Sequence, residues 1–332
     1  MVDIKRLSNK FNKNKLHYGM FFSCFYIIFF VARDIINHLI IRLISTKNGP
    51  ETKKILFIEP VNQGYGDLFF QTSLFRFLNN SKYKVFVLTN KNHYQILYNN
   101  PNINGIFFWS LRDVFKIFKQ NFIIIGLGRD TLRETFLMLF SCGSKKIVLD
   151  KNIKKWRSTF KNNSNTIAWN ILVSKYLKIK LDNPRPKIYF SETEKNYIKK
   201  NKSENKIGII CGIENKEKIF NEIKSVIRRI PLNKEVLLFG KGNCNYLDGG
   251  NIQNHINKIS YRDTIIKMAF CKTILGTEGS LTQISSSIVP KTIVLDINNT
   301  FIKNSHPDFA EKVYIIKNKN LNILVQKTLN QI

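Results

Sequence analysis

The sequence predicts an α/β protein with two doubly wound domains whose parallel sheets face a cleft. Apolar segments of strand length alternate with segments of helix length from Lys53 to about residue 300, an order typical of parallel sheets that carry helices on both faces. A segment with Pro184 and Pro186 interrupts the alternation and indicates a domain boundary. The 332 residues are enough for two domains of about 150 residues each.

The chain therefore divides into an N-terminal extension, residues 1–50, a first domain, residues 51–185, and a second domain, residues 186–332. In the extension, a basic segment precedes an apolar run at residues 18–32, which is shorter than the about 20 residues that a spanning helix needs. Because Lys and Arg flank the run, we expect an interfacial helix over residues 18–44 on the cytoplasmic face of a membrane. A spanning anchor and a helix packed on the protein's own surface stay open.

In the first domain, short apolar runs alternate with helix-length segments. The predicted strands are 53–60, 84–90, 105–109, 121–128 and 145–150, and the predicted helices are 68–80, one beginning near 93, 111–119 and 130–141.

A helix at 156–178 leads into the boundary, and the pattern then begins again. The predicted strands of the second domain are 205–214 and 234–242, its predicted helices are 217–229 and 261–270, and residues 272–296 read as strand, turn, helix and strand.

The segment at residues 272–296 is the most informative part of the chain. Its turn contains Gly276, Gly279 and Ser280, which let a backbone approach a ligand, and the next helix presents free N–H groups there. This is how α/β proteins hold phosphate groups. Since a carboxylate would repel a phosphate, we expect Glu278 to accept hydrogen bonds from the hydroxyls of a sugar.

The loop after the first strand contains Gly64, Gly66 and Asp67. The two glycines match the beginning of a dinucleotide-binding fingerprint, but Phe69 stands at its third glycine, which argues against NAD or FAD. Two interpretations of Asp67 stay open: it caps the following helix, or it acts as a general base at the carboxyl edge of a parallel sheet.

The net charge indicates which kinds of partner the chain favours, and the cysteine pattern indicates its redox compartment. A net charge of +30 suits nucleic-acid binding, but the lysines are spread along the chain. We therefore expect a solvated basic surface and no nucleic-acid partner, with attraction to anionic lipid or a phosphorylated glycan as the alternative. The five cysteines have neither a CxxC nor a metal-ligand spacing, which favours free thiols in a reducing cytosol.

Two segments, in this order, resemble glycosyltransferase family 9, the heptosyltransferases of lipopolysaccharide core synthesis. KKILFIEPVNQGYGDLFFQTSLFRFLNN is similar to the family's first strand, Gly-Asp loop and first helix, and TILGTEGSLTQISSSIVPKTIVL to its donor-binding segment. The resemblance implies a GT-B fold of two Rossmann-like domains, the first for the acceptor and the second for a nucleotide-sugar donor. It also implies an inverting sugar transfer that needs neither a metal nor a cofactor.

The resemblance also implies roles for individual residues. Asp67 falls on the base that deprotonates the acceptor hydroxyl, in an acceptor loop with Gly64 and Gly66. Lys218 falls on the lysine of the donor motif, and Glu278 on the donor-site acid. The other implied donor-binding residues are Thr277, Gly279, Ser280, Leu281, Thr282 and Gln283.

Two departures from the family pattern leave the nucleotide and the sugar open. Gln283 stands where the family has a histidine, and Gly242 stands where it often has an acidic residue. We expect a membrane-associated enzyme that transfers heptose or another hexose-type sugar to a lipopolysaccharide-like or other glycan acceptor. The alternative is a non-catalytic membrane-attached or nucleic-acid-binding protein with a relic of this fold.

Overall fold

The computed structural model describes most of the two predicted domains. The described residues are 52–59, 64–126, 137, 145–148, 173–181, 185–211, 223–242, 249–277, 279–295, 313–316 and 321–331. The N-terminal extension, with the predicted interfacial helix at residues 18–44, lies outside them. Among the described helices, none has the length and apolar character that crossing a bilayer requires.

The first sheet has five strands, and the central one is a continuous apolar run that is buried on both faces. The elements are β1 (Lys54–Ile58), α1 (Tyr65–Asn80), β2 (Lys84–Thr89), α2 (Tyr94–Leu97), β3 (Gly105–Phe108), α3 (Leu111–Phe118), β4 (Ile123–Gly126) and β5 (Lys145–Val148). All neighbouring strands are parallel, in the order β3-β2-β1-β4-β5. The strand order therefore reverses beside β1, where open α/β sheets bind ligands at the carboxyl ends of their strands.

The second sheet has six parallel strands and follows a helix that leads out of the domain boundary. The elements are α4 (Glu192–Asn201), β6 (Ser203–Ile210), β7 (Glu235–Phe239), β8 (Ile252–Asn254), α5 (Tyr261–Met268), β9 (Cys271–Thr277), α6 (Ser280–Ile288), β10 (Lys291–Leu295), β11 (Val313–Ile316) and α7 (Leu321–Leu329). Their order is β11-β10-β9-β6-β7-β8, with parallel pairing throughout. This order reverses between β6 and β9, so the turn after β9 begins at the reversal.

The two sheets confirm the predicted fold class, with differences at the ends of elements. Helix α1 begins at Tyr65, three residues before the predicted start at Leu68. Strand β8 was not expected, because it has only three residues and includes the polar Gln253 and Asn254, so no apolar run marks it. The predicted helix at 130–141 lies outside the described residues except for Leu137, and residues 173–177 are the described helical part of the predicted helix at 156–178.

One apolar cluster joins the two domains. It contains Leu68 and Leu74 of α1 together with Ile265 of α5 and Ile284 of α6, and each of these side chains is fully buried. Because burial of a large aliphatic side chain contributes about 1.5–3 kcal/mol, this shared cluster stabilises the packing of α1 against α6. The packing places the beginnings of these two helices side by side.

Candidate functional site

The first turns of α1 and α6 meet at the point where sequence reasoning placed the two ligand loops. Gly66 is buried in the first turn of α1, and a Cβ on it would overlap Oε1 of Gln283 and lie 3.5 Å from Cα of Ser280. A Cβ on Gly64, one residue before the helix, would instead meet open space. The structure thus brings the predicted acceptor loop and the predicted donor turn together, with the Gln283 side chain lying where a side chain at position 66 would begin.

An aromatic stack holds the same two loops together beside this contact. The rings of Tyr65 and Tyr261 lie 3.9 Å apart between centroids and are nearly parallel, at 12°. The Tyr261 hydroxyl donates a hydrogen bond to Oγ of Ser280 at 3.0 Å. Burial raises the pKa of Tyr261 far above its ordinary value, so its hydroxyl keeps its proton and remains a donor to the first residue of α6.

The turn between β9 and α6 is shaped by small residues and one internal hydrogen bond. The buried Thr282 donates from Oγ1 to the Thr277 carbonyl oxygen at 2.6 Å, and a Cβ on Gly276 would come within 2.5 Å of that same Oγ1. Gly279 is the N-cap of α6, has extended backbone angles and gives no side-chain cap. The N–H groups of the first turn of α6 therefore have no capping side chain from Gly279, which suits an anion-binding helix end.

The predicted site residues fall into two groups. Gly64, Gly66, Thr277, Gly279, Ser280, Leu281, Thr282 and Gln283 lie around the meeting of α1 and α6. Lys218 and Glu278 lie outside the described residues. For Asp67 the structure describes the backbone alone, as the third residue of α1, and the N-cap of that helix is Gly64. The alternative that Asp67 is the N-cap is therefore wrong.

A buried carboxylate that sequence reasoning missed lies at the carboxyl end of β1. Glu59 is fully buried, and its Oε1 accepts a hydrogen bond from Nδ1 of His93 at 2.5 Å. Its other oxygen, Oε2, accepts a hydrogen bond from Oγ1 of Thr89, and its backbone carbonyl accepts one from Nε1 of Trp109 at 3.3 Å. The signal in the sequence was an acidic residue at the end of an otherwise apolar strand, LFIE.

The Glu59 carboxylate is close to the aromatic stack. The rings of His93 and Tyr65 have centroids 4.3 Å apart. Burial raises the pKa of Tyr65, and the negative charge of Glu59 raises it further. Tyr65 therefore stays neutral between the Glu59–His93 pair and Tyr261.

Arg262 joins α5 to the beginning of the second domain and to Gln95 of the first. Its Nε and Nη2 donate to the two carboxylate oxygens of Glu194 at 2.8 and 2.7 Å, and Nη2 also donates to the Tyr189 carbonyl oxygen at 2.6 Å. Its backbone N–H donates to Oε1 of Gln95 at 2.7 Å. A bidentate pair of this kind fixes orientation as well as distance, so Arg262 fixes α5 relative to α2 and α4.

Similar proteins were found among solved structures but not among sequences. No protein-family model matches the chain, and comparison with curated proteins gives no match. The ADP-heptose lipopolysaccharide heptosyltransferase II of E. coli is similar with a TM-score of 0.65 at 17% identity, over 84% of this chain and 97% of that one. A glycosyltransferase family 9 protein of Veillonella parvula has a TM-score of 0.61 at 13% identity, over 85% and 93% of the two chains.

A second E. coli enzyme, heptosyltransferase WaaC, was solved with ADP. It has a TM-score of 0.61 at 9% identity, and the similarity covers 84% of this chain and all of that one. At these identities the likeness establishes the architecture, and each similarity extends over both sheets described above. The chain has the GT-B fold of the heptosyltransferases.

Proposed function

We propose that this chain is an inverting glycosyltransferase that moves a sugar from a nucleotide-diphosphate donor to a glycan or lipid-linked acceptor. The observation that carries the proposal is the meeting of α1 and α6, with Gly66 against Gln283. This contact brings the carboxyl edges of two parallel sheets to one place, and α/β proteins bind their ligands at such edges. The shared fold supports the same reading, since the solved WaaC structures contain ADP and ADP-2-deoxy-2-fluoro heptose.

The donor side of the proposed site is the turn between β9 and α6. The N–H groups of Ser280 and Leu281 begin α6, and a Cβ on Gly279 would meet open space, so this end of the helix suits a diphosphate. Lys218 adds a positive charge to the diphosphate in this proposal, and Glu278 accepts hydrogen bonds from the sugar. The residues that keep the turn in shape for the donor are Thr277, Thr282 and Gln283.

The proposed reaction is a single displacement. The acceptor hydroxyl loses its proton to Asp67, and its oxygen forms a bond to the anomeric carbon from the face opposite the diphosphate. The bond from the anomeric carbon to the diphosphate oxygen breaks, the electron pair leaves with the diphosphate, and the configuration inverts. The α6 N–H groups and Lys218 stabilise the charge on the leaving group, so the proposal includes neither a metal nor a cofactor.

The same comparison supports a choice of donor for the proposed reaction. ADP-heptose is the first candidate for the donor, and another nucleotide sugar of the hexose type is the second, because Gln283 replaces the histidine that the family resemblance implies. We propose a lipopolysaccharide-like or other glycan acceptor. In this proposal residues 18–44 keep the enzyme at the cytoplasmic face of the inner membrane, next to a lipid-linked acceptor.

A donor screen tests the proposed function. The full chain is incubated with ADP-heptose, ADP-glucose, GDP-mannose, UDP-glucose and UDP-N-acetylglucosamine in the presence of deacylated lipopolysaccharide core oligosaccharides, and free nucleotide is measured. Thermal unfolding with ADP, GDP, UDP and NAD provides a binding readout, because a ligand at 100 times its Kd stabilises the folded state by about 2.7 kcal/mol.

We expect nucleotide release with one donor class, and stabilisation by the matching diphosphate but not by NAD. Stabilisation by none of the three diphosphates would contradict the proposal. Binding to nucleic acid alone, with steep salt dependence, would favour the non-catalytic alternative.

A further inference from the structure

A carboxylate–imidazole pair lies beside the proposed site and has no part in the reaction described above. Glu59 follows β1 directly, and His93 follows β2 by a few residues, so both stand at the carboxyl edge of the first sheet. Each carboxylate oxygen of Glu59 has its own donor: Nδ1 of His93 contacts Oε1 at 2.5 Å, and Oγ1 of Thr89 contacts Oε2. The imidazole is thereby held through one of its two nitrogens.

The two partners differ in their access to ligands. Glu59 is completely buried, whereas the His93 side chain is 12% exposed. A carboxylate that accepts the proton of Nδ1 leaves Nε2 as the nitrogen free of Glu59, and in the neutral imidazole that nitrogen carries a lone pair. In that form the pair presents one hydrogen-bond acceptor, Nε2, from a buried and rigid support.

The free-energy cost of burying the Glu59 carboxylate favours a role of the Glu59–His93 pair in ligand binding rather than in stability. A buried carboxylate is unfavourable unless it is paired and hydrogen-bonded, and an apolar pair of similar volume often serves stability equally well. The supports of Glu59 come from the ends of neighbouring strands, with Thr89 closing β2 and Trp109 following β3. These contacts come from several strand ends at the ligand-binding edge of the sheet. They hold the Glu59–His93 pair more rigidly than packing alone would need, as is typical of functional side chains.

His93 lies next to Tyr65, which belongs to the predicted acceptor loop. Its ring lies 4.3 Å from that of Tyr65, the first residue of α1 and two residues before Asp67. Tyr65 in turn stacks on Tyr261, which donates to Ser280 of the donor turn. Two aromatic rings thus separate the imidazole from the beginning of α6, and His93 lies on the first-domain side of the meeting point.

We propose that Nε2 of His93 accepts a hydrogen bond from a hydroxyl of the sugar acceptor, other than the hydroxyl that Asp67 deprotonates. Glu59 and Thr89 are positioning residues, since they act through the imidazole. The proposal rests on the proposed function and adds to it a contact that selects the acceptor. The ligand class is a polyhydroxylated sugar that keeps a free hydroxyl besides the attacking one.

The test uses the donor and the core oligosaccharide that give turnover in the screen, and it compares His93→Asn with His93→Gln. An asparagine amide occupies the place of Nδ1 and leaves the place of Nε2 empty, whereas a glutamine amide extends to the place of Nε2. We expect His93→Asn to raise the acceptor KM about tenfold, as the loss of one hydrogen bond does. The donor KM and kcat should stay within about twofold of the wild-type values, and His93→Gln should recover most of the acceptor KM.

A second, milder variant keeps the test decisive if His93→Asn does not fold. Thr89→Val removes one support of Glu59 and leaves the imidazole in place, so we expect an acceptor KM that rises by a smaller factor, about two- to fivefold, with the donor KM unchanged. Thermal unfolding of each variant checks that it is folded.

The possible outcomes separate the two proposals. No turnover by the wild-type chain with any donor overturns the proposed function and this inference with it. Turnover with an unchanged acceptor KM in folded His93→Asn overturns the inference alone, and the pair is then structural. A fall in kcat of about a hundredfold or more at unchanged acceptor KM also overturns it, because the imidazole then acts as a base.

Discussion

A Cβ added to Gly66 in α1 would overlap Oε1 of Gln283 in α6, so the first turn of α1 packs against the end of that side chain. The contact joins the first turns of two helices that belong to different sheets, so it sets how closely the two loops of the proposed site approach. The missing side chain at position 66 lets the Gln283 amide lie this close, and backbone angles do not call for glycine there, since Gly66 lies within a helix.

Gly66→Ala should change the free energy of unfolding by no more than about 1 kcal/mol, because the Gln283 amide is the end of a flexible side chain that can move aside and alanine is favoured over glycine in a helix by up to about 1 kcal/mol. Urea denaturation measures the change. Gly64→Ala is the comparison at the same helix end: a Cβ there meets open space, so the change should cost only the poorer N-cap preference of alanine, about 0.5–1 kcal/mol.

A double substitution identifies the clash partner. Gln283→Ala removes the amide, so Gly66→Ala should cost little in that background and the helix propensity of alanine should then make it neutral or stabilising. The coupling between the two positions should be about 0.5–1 kcal/mol, at the low end for residues in contact, because a flexible amide can move aside. Additive effects of the two substitutions would show that Gln283 does not limit the space at Gly66.

Arg262→Ala should destabilise the chain by about 3–5 kcal/mol, because it leaves the carboxylate of Glu194 without its bidentate partner in a mostly buried place. The side chains of Arg262 and Glu194 are 11% and 15% exposed. Chemical denaturation monitored by intrinsic fluorescence measures the loss. We also expect a smaller dependence of unfolding on urea concentration if the two domains then unfold separately.

The control for this substitution is Lys272→Ala, which breaks an ion pair with Glu204. The side chains of Lys272 and Glu204 are 52% and 71% exposed. Exposed ion pairs contribute about 0–1 kcal/mol to the free energy of unfolding. Equal effects of the two substitutions would contradict the stabilising role of Arg262.

The sequence was sufficient for most strands of the two sheets because those strands are apolar runs with distinct boundaries, such as KILFI in β1 and KTIVL in β10. It missed the short strands β8 and β11. It also led us to expect the two loops at one cleft, because each loop lies at the carboxyl edge of its own sheet and the two-domain pattern implied that the sheets face each other. Element ends were less well predicted: α1 extends back to Tyr65 because Gly64 can serve as its N-cap.

The contacts of Glu59 and Arg262 could not be predicted in the same way. Glu59 meets His93 across 34 positions in the chain, and Arg262 meets Glu194 across 68. Neither pair has a spacing that reveals contact, since each depends on which strands or helices become neighbours. The sequence marked Arg262 as one residue of a predicted helix, and only the packing of α5 on α2 and α4 shows that its side chain is enclosed.

Glu194 should make stability depend on pH in the acidic range. Burial alone would raise the pKa of Glu194, but the hydrogen bonds from Arg262 and the Ser191 backbone, together with the charge of Arg262, outweigh burial and hold it below its ordinary value of 4.5. A group with a lowered folded-state pKa contributes stability above its unfolded pKa and loses it as pH falls through the folded pKa. Glu194→Gln should therefore flatten the decline of stability below about pH 4.5.

Unfolding curves between pH 7 and pH 3 measure this dependence. Glu192→Gln is the control, because Glu192 lies on the same helix with a side chain that is 82% exposed, and it should leave the curve unchanged. A wild-type curve and a Glu194→Gln curve that remain parallel through this range would contradict the role of Glu194.

Asp67→Asn should reduce turnover by about 10²–10⁴-fold, the usual contribution of a positioned base. The change keeps the size of the side chain and removes the carboxylate, so ADP or the matching diphosphate should stabilise the variant as it does the wild type. Free nucleotide release measures turnover, and thermal unfolding with the diphosphate measures donor binding.

Asp263→Asn separates this effect from a general consequence of losing a carboxylate at a helix start. Asp263 is the third residue of α5, as Asp67 is the third of α1, so each substitution removes a similar favourable interaction with the helix dipole, about 0.3–1 kcal/mol. Because Asp263 is exposed and contacts Ser260 rather than the meeting point of α1 and α6, its replacement should leave turnover within about twofold of the wild type. If both variants lose turnover equally, the effect of Asp67 is on helix stability and the proton acceptor lies elsewhere.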